Sequence, residues 1–338
     1  MPMIKHGVLL LLKHNFSRVA AKLMDLAAAL FFTVSFFSCK SAQQELPHAD
    51  ILKLIDQNAP FFVYIPVEQN QQFVEYTIAK MGGLSQDNAK TIASRSKNIA
   101  ISTDDKTGTC IAIEGSFPAF GIKSALSEKN GWTVSQTENT VFPFSYFVNP
   151  KVNLQTASPV PTLFLASNDI KTMLKRYNDE AFGIVTPEEN VKVSLNVKVN
   201  EFNPYDYDLP GFEKPQVQEH PAKASTEEIF KYLLENNDTD IKFYSNNPSR
   251  ILKTFLGKAV GLGINSLKGT LQPSRTEKVF NVKLELQLSQ PSMTKAAVKM
   301  LKLALFPIPA KIVAAGNGVI SISDVSLTYN QLIQMIVQ

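Results

Sequence analysis

The sequence predicts an α+β protein with a mixed or antiparallel central sheet, or sheets, flanked by amphipathic helices. Three observations carry this. Segments of period two and of period 3.6 follow one another as strand pairs and then a helix, which differs from the one-strand, one-helix order of a parallel βαβ fold. Residues 191–199 (VKVSLNVKV) and 278–288 alternate apolar and polar side chains, as strands with one wet face do. Residues 249–262 and 291–306 sort by polarity when plotted at 100° per residue, as amphipathic helices do.

The first 38 residues hold four bases, the last of them Lys22, then an apolar run over 26–37 broken only by Thr33 and Ser35. This is the layout of a secretory signal. The run is shorter than the roughly 20 helical residues that cross a bilayer. It ends at Ser38-Cys39 before polar chain, and Phe36-Phe-Ser-Cys39 is similar to a loose spirochaetal lipobox. The expected cleavage lies between Ser38 and Cys39, with fatty acyl chains such as palmitate on Cys39. A plain cleaved signal and a disulfide from Cys39 to Cys110 are the alternatives. Cys110 sits in a strand-like alternation, where a cysteine is usually a small buried hydrophobe. Residues 39–50 read as a tether.

The body runs from 51 to 338, with a reading as two similar halves, 51–184 and 225–338, left open around an insertion at 185–224. In the first half, prolines bound a strand at 61–65. A helix at 71–81 stops at Gly82-Gly83, and a second begins at Ser85. Strands 99–102 and 109–114 form a hairpin around Asp104-Asp105-Lys-Thr-Gly108. A helix at 117–129 closes at Gly131. Strands 132–137 and 141–148 pair, with Pro143 pointing to an edge. Strand 162–166 leads into a helix at 169–179. Residues 201–224, rich in Pro, Asp, Glu and Tyr, carry no periodicity and read as a loop.

In the second half, Ser225-Thr-Glu-Glu228 has the spacing of a capping box and opens a helix at 226–236. Strand 240–244, a helix from Pro248, strands 264–271 and 278–288, and a helix from Pro291 follow. A hairpin then turns at Gly316-Asn-Gly318, and Thr328-Tyr-Asn-Gln331 caps a final helix.

Charge excludes one class of function. The chain carries 34 bases and 30 acids, and removing the leader leaves 30 against 29, so no global field for nucleic acid exists. Beyond the leader only His48 and His220 occur, and there is no G-x-S-x-G, H-E-x-x-H or phosphate-loop spacing. Neither an enzyme nor a metal or cofactor site is expected. Gly261-Leu-Gly263 is not followed by a helix, and Asp104-Asp105 reads as a turn. Trp132 reads as core.

The two amphipathic helices read differently. In 249–262, Ile251, Leu252, Phe255, Leu256, Val260 and Leu262 fill one half of the wheel. In 291–306, Lys295, Lys299 and Lys302 fall within an arc of about 60°. Met293, Ala297, Val298, Met300, Leu301, Ala304 and Leu305 cover most of the remainder. A cationic stripe beside so broad an apolar face suits a helix lying among anionic headgroups. The bland alternative is a surface helix on a sheet for the first and a helix packed on two sides for the second.

Several stretches carry a resemblance: Phe62-Val-Tyr-Ile-Pro-Val67, Ser94-Arg-Ser-Lys97, Gly115-Ser-Phe-Pro-Ala-Phe120, Gly131-Trp132 with Thr137-Glu138, and the order of strand, helix, two strands, helix and hairpin through Ile320-Ser-Ile322. Over about 61–337 the sequence resembles the treponemal outer-membrane-associated lipoproteins, whose amphipathic helices insert into the inner leaflet of the outer membrane. The resemblance implies a central sheet flanked by helices, a closed soluble form that opens on lipid, perturbed bilayer permeability, and no cofactor.

The family's membrane-active helices map onto 251–262 and 293–305. The implied lipid contacts are Ile251, Leu252, Phe255, Leu256, Val260, Leu262, Met293, Ala297, Met300, Leu301 and Leu305, with Lys295, Lys299 and Lys302 at headgroups. The segment 185–224 departs from the family. The expected function is that of a lipid-anchored protein on the periplasmic leaflet of the outer membrane that senses or enters lipid, perturbing permeability or moving lipid or small apolar molecules. A lipid-anchored scaffold that docks a protein through 201–224 is the alternative.

Overall fold

The computed structural model describes residues 48–82, 86–138, 140, 143–151, 153–184, 224–235, 239–248, 252, 262–274, 278–306 and 309–332. Ser38, Cys39 and the predicted strand 191–199 lie outside them, as does nearly all of the helix predicted from Pro248.

Twelve strands form one sheet among the described residues, with every pairing antiparallel. In chain order they are β1 (Phe61–Pro66), β2 (Ser96–Asp104), β3 (Gly108–Gly115), β4 (Thr133–Gln136), β5 (Ser145–Asn149), β6 (Leu154–Val160), β7 (Leu163–Ser167), β8 (Ile241–Ser245), β9 (Ile264–Pro273), β10 (Val279–Leu288), β11 (Lys311–Gly316) and β12 (Val319–Thr328). Across the sheet the order is β11-β12-β10-β9-β8-β1-β2-β3-β7-β6-β5-β4. The strands before residue 184 and those after residue 224 meet where Phe61–Tyr64 of β1 pair with Ser245–Lys242 of β8.

The helices are α1 (Ile51–Leu54), α2 (Val67–Gly82), α3 (Gln86–Arg95), α4 (Ala119–Ala125), α5 (Ile170–Phe182), α6 (Thr226–Leu234) and α7 (Thr294–Leu305). Strand alternation sends successive side chains to opposite faces. Ile99, Ile111, Ile113, Phe164 and Leu286 therefore join one core with side chains of α2, α3, α4 and α7. Phe62, Tyr64, Ala112 and Leu165 join a second core with α1, α5 and α6. Beyond β9 the second face turns polar, carrying Lys283, Glu285, Ser321 and Ser323. No helix among the described residues packs apolar side chains there.

Local chemistry fixes the ends of these elements. Ser225 Oγ accepts from Glu228 N–H while the Glu228 carboxylate accepts from Ser225 N–H, which is the predicted box at the start of α6. At its other end, Lys242 Nζ donates to the carbonyls of Tyr232 and Glu235, so a buried lysine on β8 closes the helix. Lys242 and Lys268 each lie 5.2 Å from the centroid of the Tyr232 ring, and burial pushes the Tyr232 phenol up to about 12. Gly316, Asn317 and Gly318 all take positive φ, the conformation that a tight turn between β11 and β12 demands.

Several predicted boundaries are corrected. α2 begins at Val67, straight after β1, because Val67, Phe73 and Val74 continue one buried face. The helix predicted at 117–129 breaks into α4 and a short 3₁₀ turn, Glu128–Asn130, closed by Gly131. Pro143 does not mark an edge strand: β5 is paired on both sides, and β4 is the edge. β6 and α1 carry too little periodicity to read from sequence. Cys110 and Trp132 are buried as expected.

One close approach supports the second half of the sheet. A Cβ on Gly269 would lie 2.0 Å from the Phe243 ring, which stacks across β9 from β8. Gly269→Ala is therefore expected to cost about 1–3 kcal/mol in urea unfolding, and Phe243→Leu in the same chain should recover part of that loss.

Candidate membrane interface

α7 is set by its flanks. Pro291 opens a 3₁₀ turn, Pro291–Met293, that runs into the helix, and Thr294 Oγ1 donates to the Pro291 carbonyl at 2.6 Å. The helix ends at Phe306, which is extended. The next residue is Pro307, and a proline disfavours the helical conformation in the residue before it.

The twelve residues of α7, with Met293 and Phe306 at its two ends, present three stripes. Ala297, Leu301 and Leu305 are buried against the sheet, within the core that includes Ile312, Ile320 and Ile322. Met293, Met300, Leu303 and Phe306 are exposed by 46%, 42%, 79% and 82%. Lys295, Lys299 and Lys302 are exposed as well, and none has an ion-pair partner among the described residues. On a helical wheel the lysine arc and the exposed apolar arc are neighbours, and Leu303 falls nearly opposite Leu301.

Of the positions predicted to touch lipid, Met293 and Met300 face outward, as do the three lysines. Ala297, Leu301 and Leu305 are core residues, because β11 and β12 cover them. Leu303 and Phe306 were not among the predicted contacts, yet they are the most exposed large apolar side chains described. The wheel contained the signal for Leu303: it lies beside Lys299, on the far side from the buried stripe.

From the other predicted helix, Leu252 is buried in the same core and its N–H donates to the Pro248 carbonyl at 2.9 Å. Leu262 packs partly buried against that core. Ile251, Phe255, Leu256 and Val260 lie outside the described residues, as do residues 201–223 of the proposed partner-docking loop. No helix among the described residues is long and apolar enough to cross a membrane.

The tether joins the body at His48, whose Nε2 lies 3.9 Å from Glu114 Oε1 at the end of β3. Lys97 Nζ donates to the same oxygen at 3.0 Å and Asn98 Nδ2 to the other at 2.8 Å. Burial alone would raise the Glu114 carboxyl, but the hydrogen bonds from Asn98 and Lys97 together with the Lys97 charge outweigh it and hold the group below its ordinary value of 4.5.

Two outcomes follow. Leu301→Ala should cost about 2–5 kcal/mol of stability, whereas Leu303→Ala should stay within about 0.5 kcal/mol in the same urea titration. For Glu114, the lowered value means that its contribution is present above 4.5 and is lost as pH falls through the folded-state value. Glu114→Gln should therefore flatten the acid side of the stability curve and leave its alkaline side in place.

The comparisons with known proteins can be set on this geometry. Residues 47–199 match the family model described as outer membrane-associated lipoprotein TP0453. Comparison with curated proteins gives no match. Crystal form I of TP0453 is similar in fold, with a TM-score of 0.59 and 15% identity over 86% of this chain and 97% of that one. Crystal form III gives 0.57 at 15% identity, over 86% and 98%. The resemblance read from the sequence is borne out: residues 47–199 match the outer membrane-associated lipoprotein TP0453 family, and 86% of the chain follows the fold of TP0453 itself.

Proposed function

We propose that the chain is a lipid-anchored protein of the periplasmic leaflet of the outer membrane that meets lipid through α7. The carrying observation is the pairing, on one short helix and the residue that follows it, of exposed Met300, Leu303 and Phe306 with lysines 295, 299 and 302, which have no ion-pair partner among the described residues. Apolar side chains at this exposure gain by entering the acyl boundary, and each lysine near an anionic surface adds about 1 kcal/mol. The buried stripe of Ala297, Leu301 and Leu305 allows a second stage, in which α7 lifts from the sheet and exchanges protein for lipid.

The anchor is compatible with this contact. Nine residue-to-residue steps lead from Cys39 to His48, and an extended chain of that length reaches about 30 Å. Seven strand spacings separate β3, beside His48, from β11, beneath α7, or roughly 34 Å. With the row of strands lying along the membrane, acyl chains on Cys39 and the apolar stripe of α7 can share one leaflet. The tether then holds α7 at high local concentration near lipid, so weak insertion is populated.

Flotation with vesicles containing anionic lipid tests the reading. The chain carrying Cys39→Ser, which has no acyl anchor, is expected to float. Leu303→Asp with Phe306→Asp in that background should reduce the floated fraction roughly tenfold or more, with no loss of stability because both sites are exposed. Added salt should weaken flotation through the lysines. If the doubly substituted chain floats as well as its parent, α7 is not the contact.

A further inference from the structure

A cleft of about 390 Å³ opens between the first turn of α2, the last turn of α3 and the end of β3. It belongs neither to the α7 surface nor to the Glu114 cluster, although Lys97 borders it. Its floor is Val67 and Ala93, both buried. Its walls carry Glu68, Gln71, Ser94, Arg95 and Ser116. The cleft opens broadly to water, since Glu68, Ser94, Lys97 and Ser116 are exposed, and its volume lies at the small end of the range for small-molecule sites.

Two features of the walls decide the chemistry. Glu68 and Arg95 border the same cleft, yet they form no ion pair with each other, and neither has another charged partner among the described residues. Two opposite charges that line one cleft without pairing are both available to a molecule that carries both signs. The opening is also sterically maintained. The Arg95 carbonyl accepts from Ser116 N–H at 2.9 Å, and a Cβ on Gly115 would lie 2.2 Å from that carbonyl oxygen and 2.8 Å from the Phe117 ring. Any side chain at 115 would push β3 and α3 apart and reshape the cleft.

We propose that this cleft binds a small zwitterion, with the anionic group on the Arg95 guanidinium and the ammonium on the Glu68 carboxylate. Arg95 supplies the planar, two-pronged donor set that suits phosphate or carboxylate oxygens. Ser116 lines the same cleft with a further hydroxyl, whereas the Ser94 hydroxyl is already donated to the Thr91 carbonyl at 2.9 Å. Phosphoethanolamine chemistry meets the requirement, whether presented by a lipid headgroup or by a free soluble molecule.

Calorimetric titration of the full chain with O-phosphoethanolamine is the test, with inorganic phosphate as the comparison. Binding of O-phosphoethanolamine is expected to weaken roughly tenfold in Arg95→Gln and again in Glu68→Gln. Phosphate should lose affinity only in Arg95→Gln. Thermal unfolding of both variants, run alongside, should show them folded, because both groups lie on the surface of the cleft.

Competition by phosphatidylethanolamine vesicles identifies a headgroup as the source, and its absence with retained soluble binding identifies a free zwitterion; either outcome supports the site. No heat with O-phosphoethanolamine at millimolar concentration, or equal binding by parent and variants, overturns it. The α7 substitutions Leu303→Asp and Phe306→Asp should leave this titration unchanged, so failure here does not touch the membrane reading, and failure of flotation does not touch this site.

Discussion

The pairing of β1 with β8 is the contact on which the architecture depends. It joins Phe61–Tyr64 to Lys242–Ser245, two segments separated by nearly the whole first half of the chain and by the insertion. Without it each half would end in an open edge of unpaired backbone groups. With it, the helices of both halves cover the two faces of one continuous sheet, and His48 and α7 stand at a separation fixed by strand spacing. A chain closure of this range is entropically costly. The offset comes from side chains on both faces of the joint: Phe243 and Ile241 on one, Phe62 and Tyr244 on the other.

The two faces are covered unequally, and the inequality explains where function can reside. Near β1, β2, β3 and β7 both faces are buried, and their strands read as nearly continuous apolar runs such as Leu163-Phe-Leu-Ala166. From β9 outward one face is wet and the strands alternate. α7 is thus the outer wall of a two-layer region with water on both sides, and its own outer surface decides what it meets. An ordinary surface helix there would be polar on that side; Met300, Leu303 and Phe306 are not.

Much of this was legible before the structure, and the failures have physical causes. Period-two alternation located β10, because one wet face writes its pattern into the residues, and the Gly316-Asn-Gly318 turn located the hairpin of β11 and β12. The capping pair Ser225 and Glu228 located α6, since the two side chains satisfy each other's backbone donors. β6 escaped notice because Leu154-Gln-Thr-Ala-Ser-Pro-Val160 mixes buried and half-buried side chains without alternation. The division of α7 into a sheet-facing stripe and an exposed apolar stripe could not be read from the wheel alone, which shows a broad apolar arc but not which part the sheet will cover. The cleft between α2, α3 and β3 had no sequence signal, since its residues come from three separate segments.

The proposed insertion of α7 turns on a balance of similar quantities. Lifting the helix removes Leu301 and Leu305 from the sheet, and each such side chain loses about 1.5–3 kcal/mol of burial. Lipid returns most of that when the same side chains enter the acyl region, so their net contribution is small. The term without an automatic refund is the strip of β11 and β12 laid bare beneath, including Ile312 and Ile320. Against it stand Met300, Leu303 and Phe306, which gain burial only in lipid, and three lysines worth about 1 kcal/mol each at an anionic surface. A bilayer can shift the closed form only by its differential affinity for the open one. The exposed stripe supplies the first contact at no opening cost, and the lysines make that contact depend on headgroup charge. A leaflet of sufficient negative charge would then tip a balance that a neutral leaflet leaves on the closed side.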